Sequence, residues 1–226
     1  MKTLSQRLSL ISSAVPKGAR IADIGTDHAY LPVFLLGNGL ISRAIACDIG
    51  EKPLEVARKN IEAAAIDGIE LRLSDGFAAI NEGEIDCAVI AGMGGEVIAG
   101  IIERCEWIKN GRYTLILQPT TSPEKLREFL GDNGFSVNAE AACSENGKLY
   151  SVMTVHFSGA PVALPPEKLF IGELSPENAD SRLYIEKQLS RISRLARDIK
   201  NIPNKQAEWK YYSQIEEKLT LLLGGK

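Results

Sequence analysis

The sequence predicts an α/β fold: a mostly parallel sheet that closes in an antiparallel hairpin, followed by a helical hairpin. Three observations carry this reading. Strand and helix patterns alternate from residue 20 to residue 132. The strand segments are nearly unbroken apolar runs, such as Cys87-Ala88-Val89-Ile90, as expected of strands covered on both faces. Residues 180–222 then hold two apolar seams at helical spacing, separated by a turn.

The elements follow in order. Residues 4–15 read as a short amphipathic helix with Leu4, Leu8 and Ile11 on one face, ended by Pro16-Lys17-Gly18. Strands are expected at 20–24, 43–48, 69–73, 85–90 and 113–118, with helices near 29–38, 52–65, 95–104 and 123–132. Ser122-Pro123-Glu124 is a helix start, because proline costs nothing at the first helical position. The last two strands, 135–141 and 150–157, enclose no helix, and 143–149 reads as their hairpin connection. Such a pair at the end of a parallel sheet argues against the plainest dinucleotide-binding topology.

A proline-rich break covers residues 159–166. Beyond it, Ile185, Leu189, Ile192, Ala196 and Ile199 form one seam and Tyr212, Ile215, Leu219 and Leu222 another, around a turn at 201–205. Two short-linked helices of similar length fold back on each other. The expected division is therefore a sheet domain with a short N-terminal helix over 1–160 and a helical-hairpin extension over 161–226.

With 226 residues, 45% of them hydrophobic and 24% charged, the chain has the composition of an ordinary globular protein with a sizeable core. No apolar run reaches the roughly 18 residues of a membrane span. Residues 1–6 lack a secretory apolar core, so a cytoplasmic location and no membrane partner are expected. Cys47, Cys87, Cys105 and Cys143 are widely spaced without a CxxC pair, which argues against zinc or disulfides; no metal is expected. The net charge of −3 is uneven. Residues 182–205 hold seven basic side chains against two acidic ones, so a polyanion partner is compatible with the acidic total.

The chemistry concentrates in Ile21-Ala-Asp-Ile-Gly-Thr-Asp-His-Ala-Tyr30, a strand that runs through a glycine turn into a helix. Gly25 lets the backbone turn sharply beside a ligand. Asp27 stands where a dinucleotide fingerprint wants its second glycine, and a carboxylate there repels a pyrophosphate. A ligand with a sulfonium or ammonium group meets no such penalty; alternatively, Asp27 simply caps the helix. His28, at the helix start, can bond a carboxylate, a phosphate or a base, whereas His156 reads as structural. Asp48 ends the second strand, where a carboxylate can accept both hydroxyls of a ribose or cap the next helix. Asp75-Gly76 follows the third strand; the acid can accept from an adenine amino group, or the pair is only a turn.

Ala91-Gly-Met-Gly-Gly95 reads as a glycine-rich loop outside any element, with Met93 against a base or with the glycines serving only to turn. Gln118, before Pro119, offers an amide to a base edge. Lys187, Arg191, Arg194 and Arg197 recur at helical spacing away from the apolar seam, where they neutralise phosphates or form a solvated face. Trp209, Tyr211 and Tyr212 stack on bases or pack the hairpin.

Together, Asp23-Ile-Gly-Thr-Asp-His-Ala-Tyr-Leu-Pro32, Asp48, Asp75-Gly76, Ala91-Gly-Met-Gly-Gly95 and Gln118-Pro119 resemble the bacterial tRNA (adenine-22-N1)-methyltransferases. The resemblance runs over almost the whole chain. It implies a Rossmann-like class I methyltransferase fold, S-adenosyl-L-methionine as cofactor and tRNA as partner. By the same likeness, Asp23, Gly25, Asp27 and His28 line the methionine part of the cofactor and Asp48 with Ile49 holds the ribose. Asp75 and Gly76 meet the adenine, with Gly92 beside the cofactor, while Met93, Gly94 and Gln118 face the target base. Asp27, His28 and Met93 are the expected catalytic residues; Lys187, Arg191, Arg194 and Arg197 grip the tRNA. The Asn-Pro-Pro-Tyr element of many amino-methylating enzymes is absent, in agreement with a ring-nitrogen target.

Two other functions fit the same residues. A methyltransferase for another RNA, a protein or a small molecule would keep its activity without residues 167–226 if its substrate were not RNA. A non-catalytic RNA-binding module would bind RNA and transfer no methyl label.

Overall fold

The computed structural model describes residues 4–225. The chain runs α1 (Gln6–Ala14), β1 (Arg20–Ile24), α2 (Tyr30–Gly37), β2 (Arg43–Asp48), α3 (Glu51–Ala64) and β3 (Ile69–Leu73). It continues with β4 (Cys87–Gly94), α4 (Gly95–Glu103), β5 (Thr114–Thr121), α5 (Pro123–Asp132), β6 (Phe135–Glu145) and β7 (Lys148–Phe157). The tail is α6 (Pro166–Ile171), α7 (Ala179–Ile199) and α8 (Gln206–Leu222). The seven strands form one sheet in the order β3-β2-β1-β4-β5-β7-β6. All pairs up to β5 are parallel, and β7 joins β5 and β6 antiparallel, as the sequence predicts.

That order places β1 beside β4, with later strands running in opposite directions across the sheet from that point. The carboxyl ends of such a pair open a crevice where open sheets bind ligands. Apolar residues cover both faces. Ile24, Ile90, Leu117 and Met153 pack with Ile98, Ile102 and Leu126 on one face. Ile21, Val89 and Ile116 pack with Ile11, Leu31 and Leu35 on the other. The amphipathic α1 belongs to this second layer and is thereby carried to the edge of the crevice.

Three local readings are corrected. Residues 92–94 are not a free loop. β4 continues through Gly94, paired Met93 to Pro119 and Gly94 to Thr121, with irregularities that absorb the φ of 80° at Gly92. The short α6 gave no signal, since six residues carry no period and Pro165-Pro166 read only as a break. Leu222, read as part of a seam, is exposed. The connection after β6 is as expected: Asn146 and Gly147, with φ of 50° and 74°, make a two-residue turn matched to the twist of a hairpin.

α7 and α8 do not stand apart from the sheet. Ile185, Ile192, Ile215 and Leu219 share a cluster with Phe170 and Ile171 of α6 and with Ala142 of β6. A buried ion pair reinforces the junction. Arg127 of α5 donates through Nη2 to Glu140 Oε1 at 2.5 Å and through Nη1 to the Leu169 carbonyl at 2.7 Å. Both side chains are fully sealed from water. The other oxygen of Glu140 accepts from the Glu173 N–H at 3.2 Å. Gly172 makes this approach possible: a Cβ there would stand 1.7 Å from Glu140 Oε2.

Candidate active site

The end of β1 builds the first wall. The N–H groups of Gly25 and Thr26 both donate to the Cys47 carbonyl at 2.8 Å, which folds the chain back over β2. Gly25 (φ 75°), Asp27 (φ 53°) and Ala29 (φ 55°) all occupy the left-handed region, which is costly for the two non-glycine residues. α2 therefore begins only at Tyr30, with Ala29 at its cap and no side-chain cap bond. The capping role for Asp27 is excluded. Its carboxylate is exposed and lies 3.4 Å from His28 Nε2.

Asp23 is buried, and among the described residues its side chain accepts one hydrogen bond, from Thr26 Oγ1 at 2.6 Å. Burial pushes its carboxyl up to about 6; the Thr26 bond opposes the rise and the charge of Asp48 adds to it. His28 Nδ1 is also buried and has no hydrogen-bond partner among the described residues. Asn60 of α3 donates to the His28 carbonyl at 2.9 Å, and the His28 ring lies 5.2 Å from that of Tyr30. Asp23 and His28 line the same small cleft.

β2 and β3 supply the next edge. Asp48 accepts from the Gly50 N–H at 2.9 Å and from the Asp27 N–H at 3.4 Å. The cap of α3 is Gly50, which has no side-chain cap bond. Those two backbone bonds hold the Asp48 carboxylate at the strand end, where each oxygen keeps a further lone pair for a diol. Ile49 beside it is 74% exposed, an apolar surface with no protein cover. Asp75 is exposed and paired through Oδ1 with Arg104 at 3.0 Å. Gly76 (φ 60°) lets Ile101 approach.

β4 and β5 close the crevice. Met93 turns its methyl under Gly25: a Cβ on Gly25 would lie 2.2 Å from Met93 Cε. Gly92 is exposed, and Gly94 begins α4 as its cap. Gln118 corrects a sequence expectation. It is fully buried; its Oε1 accepts from Arg7 Nη1 at 2.8 Å and from the Gly92 N–H at 3.2 Å. Its Nε2 donates to the Pro119 carbonyl at 2.8 Å. An amide so committed cannot read a base edge; it fixes Gly92 and Arg7 instead.

The resulting cleft, about 270 Å³, is lined by Arg7, Leu8, Asp23, Gly25, Asp27, His28, Tyr30 and Gly92, among others. Arg7, Leu8, Tyr30 and Asn60 were missed from sequence. Arg7 did leave a signal, since it stands one helical turn before Ile11 and so shares the face of α1 that packs on the sheet. A larger groove of about 750 Å³ between α1, α2 and α3 shares Leu8 and Tyr30 but carries no charged side chain. The smaller cleft is where chemistry is equipped.

The basic residues of α7 divide. Lys187, Arg194 and Arg197 are exposed and form no ion pair among the described residues. Arg191 is spoken for: Nη2 donates to Glu124 Oε1 of α5 at 2.7 Å, and the guanidinium lies over the Phe170 ring at 6.0 Å. It ties the extension to the sheet domain, which corrects its reading as a phosphate contact. Among the described residues no cluster of side chains suits a metal ion, and no helix is long and apolar enough to cross a membrane.

The chain is similar to known proteins. Residues 4–153 match the family described as a methyltransferase domain. The chain is 37% identical over 172 residues to the tRNA (adenine(22)-N(1))-methyltransferase of Bacillus subtilis, covering 76% of this chain and 72% of that protein. The crystal structure of the B. subtilis m1A22 tRNA methyltransferase superposes with a TM-score of 0.85 at 30% identity, over 98% of this chain and 99% of that one. A putative tRNA (m1A22) methyltransferase from Streptococcus pneumoniae, solved with S-adenosyl-L-methionine, gives 0.82 at 33% identity over 98% and 100% of the two chains.

Proposed function

This chain belongs to the tRNA (adenine-22-N1)-methyltransferase family, and on that premise we propose that the cleft holds S-adenosyl-L-methionine and methylates N1 of adenine 22 in tRNA. The observation that carries the proposal is the pair of acids, Asp23 and Asp27, beside the glycine turn at the β1/β4 switch point. Among the described residues the buried Asp23 has no cationic partner and His28 Nδ1 has none, so the site fits a ligand that brings an ammonium, a sulfonium and an acceptor. Asp48 and Ile49 would hold the ribose, Asp75 and Gly76 the adenine ring, and Gly25 and Gly92 the close approach of the chain to the sulfur.

When bound, the cofactor supplies an electrophilic methyl group. The protein's own residues have three tasks. Adenine N1 already presents an in-plane lone pair, so no side chain needs to take a proton first. Positioning is therefore the main work, and the Gly92–Gly94 strand end, fixed by Gln118, and Met93, fixed under Gly25, give a rigid floor on which a base can lie. The exposed Asp27 carboxylate faces the positive charge that methylation leaves on the ring and can accept from the adenine amino group, while His28 orients the ligand.

Residues 161–226 are proposed as a tRNA-docking extension, with Lys187, Arg194 and Arg197 as its phosphate contacts. A base within a folded tRNA must leave its stack to reach the cleft. The enzyme would act in the cytoplasm, where tRNA resides. The test is to incubate the protein with methyl-labelled cofactor and unmodified total tRNA, then digest and locate the label. The expected product is 1-methyladenosine at position 22; label on the exocyclic amine or on protein would sink the mechanism.

A further inference from the structure

The turn at residues 25–29 is held in shape from outside. Asp27 and Ala29 sit at φ of 53° and 55°, and an alanine has no polar side chain to offset the cost of that region. The N–H groups of Gly25 and Thr26 are tied to the Cys47 carbonyl at 2.8 Å, and that of Asp27 to Asp48 Oδ2 at 3.4 Å. The His28 carbonyl has no equivalent in α2. Its helical donor would be residue 32, four positions on, and that residue is a proline without an N–H. Asn60 of α3 supplies the donor instead, through Nδ2 at 2.9 Å. These tethers all come from residues 47–60.

Asn60 lines the neighbouring groove and not the cleft, so it acts on the cleft through the peptide it holds. The His28 ring lines the cleft, yet its Nδ1 has no hydrogen-bond partner among the described residues. The backbone at 27–29 therefore aims both the His28 ring and the Asp27 carboxylate, which stand 3.4 Å apart. We infer that Asn60 is a positioning residue for the reaction: its amide holds the His28 peptide in the strained turn and so keeps Asp27 and His28 aimed at the reacting groups. The inference rests on the reading of the cleft given above. Because the Gly50 cap of α3 donates to Asp48, the same helix joins the proposed ribose acid to the pair proposed to meet the charge on the base.

The test uses Asn60→Ala and Asn60→Asp in the full chain. The aspartate variant keeps the shape of the side chain but, ionised at neutral pH, carries no donor. The chain has two histidines, His28 and His156, so its imidazole NMR signals give a probe at the site and a control away from it. His156, on β7, is held by Thr114 and Asn138. Both variants should shift the His28 signals and leave those of His156 in place. Turnover of unmodified tRNA at saturating cofactor should fall about tenfold in both, as expected of misplaced groups, with the KM for tRNA changed by less than about twofold. Unmoved His28 signals in both variants overturn the inference. So does an aspartate variant that matches the wild type while the alanine variant does not, since packing and not the hydrogen bond would then be what matters. Joint movement of both histidines with a lowered thermal midpoint also overturns it, making Asn60 a general structural residue. Wild-type protein that bound no S-adenosylhomocysteine would sink the cofactor reading, while the histidine signals, which need no ligand, would still decide whether Asn60 holds the turn.

Discussion

Asp23 and Glu140 are both carboxylates removed from water, one in the cleft and one at the junction with the helical extension. Glu140 meets Arg127 at 2.5 Å and a backbone N–H at 3.2 Å. Burial works against the charge on Arg127, yet Glu140 and Tyr184 more than offset it and hold the guanidinium protonated. Among the described residues Asp23 meets a hydroxyl and no cation, and burial lifts its carboxyl to about 6. The arginines differ in the same way: Arg127 is ion-paired, and among the described residues the Arg7 side chain forms no ion pair. A buried charge that meets an opposite charge within the protein is structural, whereas a buried carboxylate with no such partner in the cleft is placed for a ligand.

The largest effect should come from breaking the satisfied pair. Arg127→Met leaves Glu140 buried and unpaired, at an expected cost of about 3–5 kcal/mol in urea unfolding. Combining it with Glu140→Leu should recover much of that loss, since both charges then go together. A double variant as unstable as the single one would show that pairing is not what holds the junction.

Asp23→Asn should act oppositely on stability and on affinity. The folded pKa of about 6 lies above the ordinary carboxyl value of 3.8. The stability this group contributes is therefore present below about 3.8 and lost as pH rises through about 6. At pH 7 the Asn variant should be more stable by about 1–2 kcal/mol, because it removes a buried charge and weakens one hydrogen bond. Wild-type affinity for S-adenosylhomocysteine should rise with pH through about 6 as the carboxylate forms. The Asn variant should bind more weakly and show no such rise. A variant that kept both the affinity and its pH dependence would end the proposed ligand role of Asp23.

Arg191→Met should have the smallest effect. Its ion pair with Glu124 is partly exposed, with side-chain accessibilities of 41% and 17%, so at most about 1 kcal/mol is at stake. Because its charge is already matched, tRNA affinity should fall less than with Lys187→Met or Arg194→Met. An equal fall, measured by titration at one salt concentration, would return Arg191 to the tRNA face.

How much of this was legible follows from the range of each signal. The strands, the parallel-to-antiparallel change and the seams of α7 and α8 were readable because period and turn chemistry are local. Asp23, Gly25, Asp27 and Asp48 were readable because site residues of an open sheet fall at strand ends. Gln118 and Arg191 were misassigned for a shared reason. Each residue type can bind a ligand, and the partners that occupy them, Arg7 and Glu124, lie 111 and 67 residues away in sequence. The spacing of Arg7 from Ile11 puts it on the packed face of α1, but nothing local tells that this end of the face opens on a cleft.

The sequence by itself determined the layers, the order of acids at the strand ends and a family resemblance, since these rest on neighbouring residues and backbone preference. Only the tertiary structure decided which charges are satisfied. Pairing depends on distance in space, and Arg127, Glu140, Asp23 and Arg7 gain or lack partners according to how distant segments meet.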